Sequence, residues 1–311
     1  MLITPTELLN IIKLKKEINF SEYPNLKNVL YDVLFSKMPV LINVIRKGDF
    51  VYRTVPIYRN DITLGRKKYL SYRPIEYDYP YFNRCSEPEQ RHFYCSTTRH
   101  LSIGECSYFI SESDDQNKVF TKNSERLEVG MWEVTKDIYV IDMRFGNFTH
   151  EGTESHQIEL KEKYNQFAKE QFIKDFFDYI NELFELPIKK ESHLQYWLTA
   201  CYSNYLFDDQ FEKQPNWGNI DDIEDKSHIY MDGILYHSVK GIQTTPPIGG
   251  YNLALKTELI DNNSLKLIRS GIFETNQIGE KEFVLDNLIK INRNISGDSW
   301  YYEDPTEKDL S

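Results

Sequence analysis

The segment NRCSEPEQRHFYCSTTRHLSIGEC, residues 83–106, places an arginine, a tyrosine and a glutamate within one short, polar stretch of the chain. These residues are Arg84, Tyr94 and Glu105. The segment is rich in residues that favour turns, and its apolar residues do not follow the spacing of an ordinary amphipathic helix. We therefore expect a strand and turns here, and we expect a second segment, YMDGILYHSVKG from residue 230, to be the partner of this one.

The composition of the chain is that of a globular protein. Charged residues make up 27% and hydrophobic residues 40% of the 311 residues, and the aromatic content of 14% argues against disorder. This length is sufficient for one large domain that carries helical additions. The net charge of -11 argues against nucleic acid as a direct partner, because binding to phosphates requires clusters of Lys and Arg.

The sequence predicts a cytoplasmic protein that does not associate with membranes. Its N-terminus, MLITPTELLNIIKLKKE, lacks the uninterrupted apolar core and the small-residue cleavage site of a secretory signal. No later run of apolar residues reaches the length needed to span a bilayer. The few cysteines fit free thiols in a reducing compartment. They are Cys85, Cys95, Cys106 and Cys201.

Helical periodicity occurs in two parts of the chain. The predicted helices span about residues 6–16, 26–35, 157–184 and 193–206. Thr6 is the expected N-cap of the first helix. The first two helices form an N-terminal helical layer over residues 1–45. The later two, together with the acidic and aperiodic segment 208–227, form a helical insertion at about residues 155–227 of the remaining domain, 46–311.

Short β-favouring runs, bounded by Asn, Asp, Gly and Pro, predict a sheet in the remainder of the chain. These runs are FVYRTVPIY, RHFYCS, RLEVGMWEV, DIYVIDMRF, HIYMDGILYHS, GYNLALKT, LKLIRSGIFE and EFVLDNLIKI. The C-terminal segment YYEDPTEKDLS is expected to be solvated. The separation of helical from strand-rich segments predicts an α+β fold.

Several common types of site have little support in the sequence. The cysteines do not form the close pairs of a structural zinc site, and the paired aspartates at 114–115 and 221–222 lack the glycine of a calcium loop, so we expect no metal site. There is no glycine-rich phosphate loop of the Walker or Rossmann type. A Cys–His nucleophile is an open alternative, because histidines flank two of the cysteines. These are His92 and His100, beside Cys95 and Cys106.

A set of short motifs follows a fixed order along the chain. The motifs are VYR at residues 51–53, NR at 83–84, FYCS at 93–96, GEC at 104–106, YVIDM at 139–143 and DGILYHS at 232–238, followed by GGYNLAL. Taken together, they resemble the RES domain family over about residues 50–275. The ordered set is more specific than any single motif, each of which also occurs in ordinary strands and turns.

The resemblance implies three catalytic residues. The family is named for an Arg, a Glu and a Ser, which correspond to Arg53, Glu105 and Ser238 in this sequence. Known members consume NAD. Cleavage of the bond between nicotinamide and ribose passes through an oxocarbenium-like state, so a carboxylate such as that of Glu105 can stabilise the developing positive charge. Ser238 is expected to hydrogen-bond either Glu105 or a ribose hydroxyl.

The resemblance also implies a set of NAD-binding residues, namely Arg53, Arg84, Tyr94 and Tyr52. Guanidinium groups suit the anionic pyrophosphate because they bind pairs of oxygens in a bidentate fork. Tyr94 is the candidate for stacking on the flat nicotinamide ring. Compact members of the family often carry an aromatic residue directly after the first arginine, whereas here Tyr52 precedes Arg53 and Thr54 follows it.

Within the α+β class, the resemblance implies an ADP-ribosyltransferase-like split β-sheet with N-terminal helices and a helical insertion. The implied function is that of an NAD glycohydrolase or phosphorylase, a toxin that depletes cellular NAD, with NAD as substrate and no prosthetic group. An antitoxin protein is the implied partner, and a second copy of the chain is the other partner considered. Two alternatives are an ADP-ribosyltransferase that modifies a macromolecule and a catalytically degenerate RES-like binding protein.

Overall fold

The computed structural model describes residues 3–57, 64–73, 79–107, 120–121, 124–144, 162, 165–166, 169–186, 190–208, 217–218, 231–238, 249–277, 283–292, 295, 297–306 and 309. Its α-helices are α1 (Pro5–Leu14), α2 (Tyr23–Val29), α3 (Lys67–Leu70), α4 (Arg99–Cys106), α5 (Gln171–Glu185), α6 (Trp197–Phe207) and α7 (Glu258–Asp261). Its strands are β1 (Val40–Ile45), β2 (Phe50–Pro56), β3 (Phe93–Ser96), β4 (Phe120–Thr121), β5 (Ser124–Val134), β6 (Ile138–Asp142), β7 (Trp217–Gly218), β8 (Gly233–Tyr236), β9 (Asn252–Leu255), β10 (Leu265–Gln277) and β11 (Phe283–Asn292). The mixture of helices and strands agrees with the predicted α+β class.

Contacts between residues divide the chain into two compact units. The helical unit comprises Met1–Val44, Asp78–Gln90 and Tyr139–His237. The sheet unit comprises Ile45–Tyr77, Arg91–Ile138 and Ser238–Ser311. Each unit is therefore assembled from three separate segments, and the predicted division into 1–45 and 46–311 stays a prediction.

The sheet unit is built on antiparallel strands in the order β11–β10–β5–β2–β3–β9, and β4 forms a short hairpin with β5. Every predicted strand run in this part of the chain forms one of these strands. Strand β2 pairs with β5 from Phe50 to Pro56, whereas its ladder with β3, among the described residues, consists of the pair Tyr52–Ser96. Strand β3 pairs in turn with β9, where Ser96 lies opposite Asn252.

Within residues 83–106 the structure contains a short helix, α4, in addition to the expected strand and turns. Thr98 is the N-cap, and its hydroxyl accepts a hydrogen bond from the Leu101 amide. The helix has only eight residues, too few for its apolar side chains to establish a helical period in the sequence. It packs on the sheet through a buried apolar cluster. The members of this cluster are Ile103, Leu127, Val129, Phe273, Leu288 and Ile291.

Aromatic side chains occupy the core of the helical unit. Phe35, Phe176 of α5 and Tyr202 of α6 are buried, and their ring centroids lie 4.9 to 5.7 Å apart. The predicted apolar face of the long helix is confirmed in α5, although α5 begins at Gln171, and residues 157–161 lie outside the described part of the chain. Parallel pairing joins β6 to β8 and β1 to β7. Most of the acidic segment 208–227 also lies outside the described residues.

The first helix begins earlier than predicted. Thr4 is its N-cap in place of Thr6, and Pro5 occupies the first turn, where its missing N–H costs nothing. The Thr4 hydroxyl accepts a bond from the Glu7 amide, while the Glu7 carboxylate accepts one from the Thr4 amide at 2.9 Å. This reciprocal capping box satisfies two backbone donors, and it is a stronger signal than Thr6 alone.

The described residues of the C-terminal segment 301–311 are exposed or half-buried, as expected, but the segment is attached to the sheet unit at Tyr302. Trp300, which precedes the segment, is buried, and its amide donates to the Gly65 carbonyl at 2.9 Å. The Tyr302 hydroxyl donates to the buried Glu128 carboxylate and shares a second hydrogen bond, of 3.0 Å, with the Ser270 hydroxyl. Asp, Glu, Pro and Lys dominate the segment, so its composition does not predict the contact between Tyr302 and Glu128. None of the described helices is long and apolar enough to cross a membrane.

Candidate active site

The carboxylate of Glu105 is held by two side chains that come from distant parts of the chain. Glu105 lies in the last turn of α4 and is half-buried. Its Oε1 accepts a hydrogen bond from the Ser238 hydroxyl and another, at 2.7 Å, from the Asn252 side-chain amide. Hydrogen bonds to an ionised acceptor are stronger than neutral ones, so these donors hold the carboxylate in one orientation.

The two donors are themselves buried. Ser238 is 3% exposed and follows β8, and Asn252 is 7% exposed and begins β9. The Asn252 side-chain carbonyl accepts a hydrogen bond from the hydroxyl of Ser96 at 2.8 Å, directly across the β3–β9 ladder. The site is therefore a chain of hydrogen bonds from Ser96 through Asn252 to Glu105, with Ser238 as a second donor at the carboxylate.

Helix α4 is fixed to β2 by two further polar contacts. The hydroxyls of Ser102 and Thr54 share a hydrogen bond of 2.8 Å, and the Cys106 thiol donates to the Thr54 carbonyl at 3.0 Å. These contacts flank Glu105 on both sides in the sequence. A displacement of the helix along the strand would break both, so these contacts to the sheet help to set the position of Glu105.

Arg53 bridges β2 and β3. Its Nη1 donates to the Tyr94 carbonyl at 2.7 Å, and its guanidinium carbon lies 5.7 Å from the centre of the Phe93 ring. Burial lowers the pKa of this guanidinium from its ordinary value, although the thiols of Cys106 and Cys95 oppose the effect. The guanidinium nevertheless remains protonated, because arginine does not lose its proton in proteins.

Strand alternation separates the predicted residues into two groups. Tyr52 lies opposite Ser96, and Tyr94 lies two residues before Ser96, so both tyrosines emerge on the face that carries Asn252. Tyr52 packs against the apolar cluster beneath α4. Arg53 emerges on the other face, beside Phe93. The structure thus brings Glu105 and Ser238 into contact and places Tyr94 and Tyr52 on the same face of the sheet, whereas the contacts of Arg53 are made elsewhere.

Arg84 belongs to the helical unit. Its Nη2 donates to the Leu186 carbonyl at the end of α5 and to the Tyr196 hydroxyl, each at 3.2 Å. The guanidinium carbon also lies 5.1 Å from the centre of the Tyr196 ring. A cation at a helix C-terminus interacts favourably with the last carbonyl groups, so these contacts describe a helix-capping arginine. Its predicted role in binding NAD stays a prediction.

Asn252 and Ser96 were not among the residues predicted from the sequence. Both lie inside motifs that carried the resemblance, FYCS and GGYNLAL, but no side-chain chemistry distinguishes them from other strand residues there. Their function depends on the register between β3 and β9, which places them opposite each other. A single sequence gives no information about that register.

Three of the four cysteines, Cys85, Cys95 and Cys201, are buried. Burial raises the pKa of Cys85 and of Cys201 to about 12, and it raises the pKa of Cys95 further. A buried thiol that stays protonated is a poor nucleophile, which disfavours Cys95 as the centre of a Cys–His site. No cluster of three or more His, Cys, Asp or Glu side chains suited to a metal ion occurs among the described residues.

Comparison with known proteins leaves the site to be interpreted from its own geometry. No family model, no curated protein and no solved structure matches this chain.

Proposed function

We propose that this chain is an NAD-consuming enzyme of the RES type, with an ADP-ribosyltransferase-like sheet, that cleaves the bond between nicotinamide and ribose. The observation that supports the proposal most directly is the hydrogen bond between Ser238 and Glu105. The resemblance selected these two residues from motifs 133 positions apart in the sequence, and nothing in their local sequence requires them to meet. The contact between Glu105 and Ser238 therefore supports the resemblance to the RES family independently of the motifs themselves.

The geometry suits stabilisation of a developing cation. As the nicotinamide leaves, positive charge develops on the ribose, and a fixed carboxylate facing the sugar lowers the energy of that state. Glu105 meets this requirement because two buried donors hold its Oε1 and the helix carrying it is tied to β2. A carboxylate already oriented before the reaction costs no reorganisation at the moment of bond cleavage.

Tyr94 and Arg53 have separate proposed roles. Tyr94 lies on the same strand face as Ser96, and its ring is the proposed stacking surface for the nicotinamide. The role of Arg53 as ligand of the pyrophosphate rests on the resemblance alone, because Arg53 emerges on the face of the sheet opposite that of Tyr52 and Asn252. Its Nε is buried without a hydrogen-bond partner in the described part of the chain, and a phosphate oxygen would satisfy that donor.

The biological role proposed with this activity is that of a toxin that depletes cellular NAD and is restrained by an antitoxin protein. The acceptor of the ADP-ribosyl group is water or phosphate in this proposal. A transferase would use the same carboxylate but would attach the group to a macromolecule, so the two activities differ in where the ADP-ribosyl label is found.

The experiment is a measurement of nicotinamide release from NAD by the purified chain and its Glu105→Gln variant. Glutamine keeps the shape and can still accept both hydrogen bonds, but it lacks the negative charge, so we expect turnover to fall by about 100-fold or more. NAD labelled in the ADP-ribosyl part, incubated with lysate, detects transfer to macromolecules. Full turnover by Glu105→Gln would show that Glu105 is not the catalytic carboxylate, and a wild-type protein that neither binds nor cleaves NAD would refute the proposal.

A further inference from the structure

The amide of Asn252 lies between two polar side chains in a buried position. The amide oxygen accepts a hydrogen bond from the Ser96 hydroxyl at 2.8 Å, and the amide nitrogen donates one to the Glu105 carboxylate at 2.7 Å. We propose that Asn252 is a positioning residue for the Glu105 carboxylate and that Ser96 restrains the Asn252 amide in its position. The kinetic part of this inference rests on the proposed function, whereas its structural part does not.

Ser96 restrains the Asn252 amide at the end opposite Glu105. An asparagine amide has an acceptor end and a donor end of nearly the same shape, and a rotation of 180° exchanges them. In the flipped orientation the amide oxygen would face the carboxylate, and two acceptors would repel each other, so Glu105 selects the orientation in which the amide nitrogen faces it. A serine hydroxyl can donate or accept a hydrogen bond, and in this orientation the Ser96 hydroxyl donates to the amide oxygen and limits rotation of the amide.

Asn252 is held more rigidly than the other donor to Glu105. Asn252 begins β9, and its neighbour Tyr251 is also tied to the loop after β3, because the Tyr251 amide donates to the Thr97 hydroxyl at 2.9 Å. Thr97 in turn donates its amide to the Tyr251 carbonyl. Ser238, in contrast, lies outside any strand or helix. A site built on paired strands is more precise than one built on a connecting segment, so Asn252 is the anchor of the carboxylate.

The inference predicts a particular pattern of mutational effects. Replacing Asn252 by Ala removes a donor from the carboxylate, so kcat should fall by about 10- to 100-fold while KM changes by less than about threefold. Replacing Ser96 by Ala should cause a smaller fall of about 3- to 10-fold, because the amide then loses the bond that restrains it from its oxygen end. Ser96→Thr retains the hydroxyl and should restore most of the kcat that Ser96→Ala loses.

The decisive experiment is a double-mutant cycle on kcat with wild type, Ser96→Ala, Asn252→Ala and the double variant. If Ser96 acts through the asparagine, its replacement has no further effect once Asn252 is alanine, and the double variant equals Asn252→Ala within about twofold. Independent effects that multiply in the double variant would overturn the inference. Ser264→Ala is the matched control, because Ser264 is also buried and also donates to an asparagine oxygen, that of Asn262, at a turn outside the site.

A second measurement separates this inference from the proposed function, because it needs no turnover. The side-chain amide protons of Asn252 can be followed by NMR during exchange with deuterated water. We expect Ser96→Ala to accelerate their exchange by about tenfold or more, and Ser264→Ala to leave it unchanged. Unchanged exchange in Ser96→Ala would overturn the inference, whatever the activity of the wild type. Accelerated exchange in a protein that does not cleave NAD would refute the proposed function alone.

Discussion

The Ser238 hydroxyl donates a hydrogen bond to Oε1 of Glu105, although the two residues lie 133 positions apart in the chain. The contact connects a residue that follows β8 with the last turn of α4. Asn252 donates to the same oxygen from the start of β9. Three segments of the chain therefore determine the orientation of one carboxylate, and loss of any donor should affect the site without unfolding the protein.

Replacement of Ser238 by Ala tests this contact. Loss of a hydrogen bond to a charged group corresponds to about 1.5–3 kcal/mol, so we expect the rate of nicotinamide release to fall by about 10- to 150-fold. Glu105 is only half-buried and keeps its hydrogen bond from Asn252, so we expect a much smaller effect on the melting temperature than on the rate. Steady-state kinetics and thermal unfolding measure the two quantities. A Ser238→Ala variant with the wild-type rate would remove Ser238 from the site, and Ser264→Ala serves as the control.

The strands of the sheet unit could be predicted from the sequence because their apolar residues alternate and turn residues bound them. Strand β5, which contains RLEVGMWEV, and strand β9, which lies within GYNLALKT, are two examples. Helix α4 could not be predicted, because the Thr98 cap and an eight-residue helix leave too little periodicity to detect. The local signal is weakest at the point where the catalytic candidate Glu105 lies.

Glu105 is one of the two hydrogen-bond partners that the resemblance implies for Ser238, the other being a ribose hydroxyl. The role of Asn252, in contrast, depends on which residue of β9 lies opposite Ser96. A shift of one residue would direct Asn252 to the other face of the sheet. The motifs identify residues, but the register decides which side chains meet. The sequence also does not indicate that the Arg53 side chain lies on one face of the sheet, whereas Glu105 contacts Asn252 on the other face.

The attachment of the C-terminal segment to the sheet unit predicts a measurable contribution to stability from Tyr302. Its hydroxyl donates to Glu128 and shares a hydrogen bond with the Ser270 hydroxyl, and Glu128 is 1% exposed. Tyr302→Phe removes a donor from a buried carboxylate, so we expect the free energy of unfolding to fall by about 1–3 kcal/mol. Tyr301→Phe is the matched control, because Tyr301 is 94% exposed and its replacement should change nothing. Chemical denaturation measures both variants, and equal stabilities would show that the segment does not depend on Tyr302.

Asp142 and Arg144 form a buried, bidentate ion pair in the helical unit. The guanidinium Nε and Nη2 donate to the two carboxylate oxygens at 2.8 and 2.6 Å, and Asn43 donates at 3.1 Å. Burial alone would raise the pKa of Asp142, but the bonds and charge of Arg144 outweigh it and lower the pKa below 3.8. The native state therefore binds fewer protons than the unfolded chain, so this contribution is present above about pH 3.8 and is lost as the pH falls through the lowered value.

Replacement of Asp142 by Asn leaves the buried guanidinium facing a neutral amide. We expect the free energy of unfolding to fall by about 3–5 kcal/mol, as for other broken buried pairs. The exposed pair of Arg46 and Asp137 provides the control, because Asp137→Asn should cost less than about 1 kcal/mol. Denaturant titrations at pH 7 compare the two variants. Similar losses from both would show that burial does not determine the strength of the Asp142–Arg144 pair.

His193 should make the stability of the helical unit depend on pH near neutrality. Its Nδ1 accepts a hydrogen bond from the Phe82 amide at 3.2 Å, so a proton on that nitrogen would break the bond. Partial burial lowers the pKa of His193 below 6.5, although the nearby Glu17 carboxylate opposes the shift. The unfolded chain thus binds more protons than the native state below about pH 6.5, and stability should fall as the pH is lowered through this range.

The variant His193→Asn separates the titration from the contact. The asparagine oxygen can accept the bond from the Phe82 amide in place of Nδ1, but the side chain carries no titratable group. We expect the loss of unfolding free energy between pH 7.5 and pH 5.5, an interval chosen to bracket the histidine pKa, to be smaller in His193→Asn than in the wild type. Denaturant unfolding at the two pH values measures the difference. Because other histidines titrate equally in both proteins, identical pH dependence would show that His193 does not contribute.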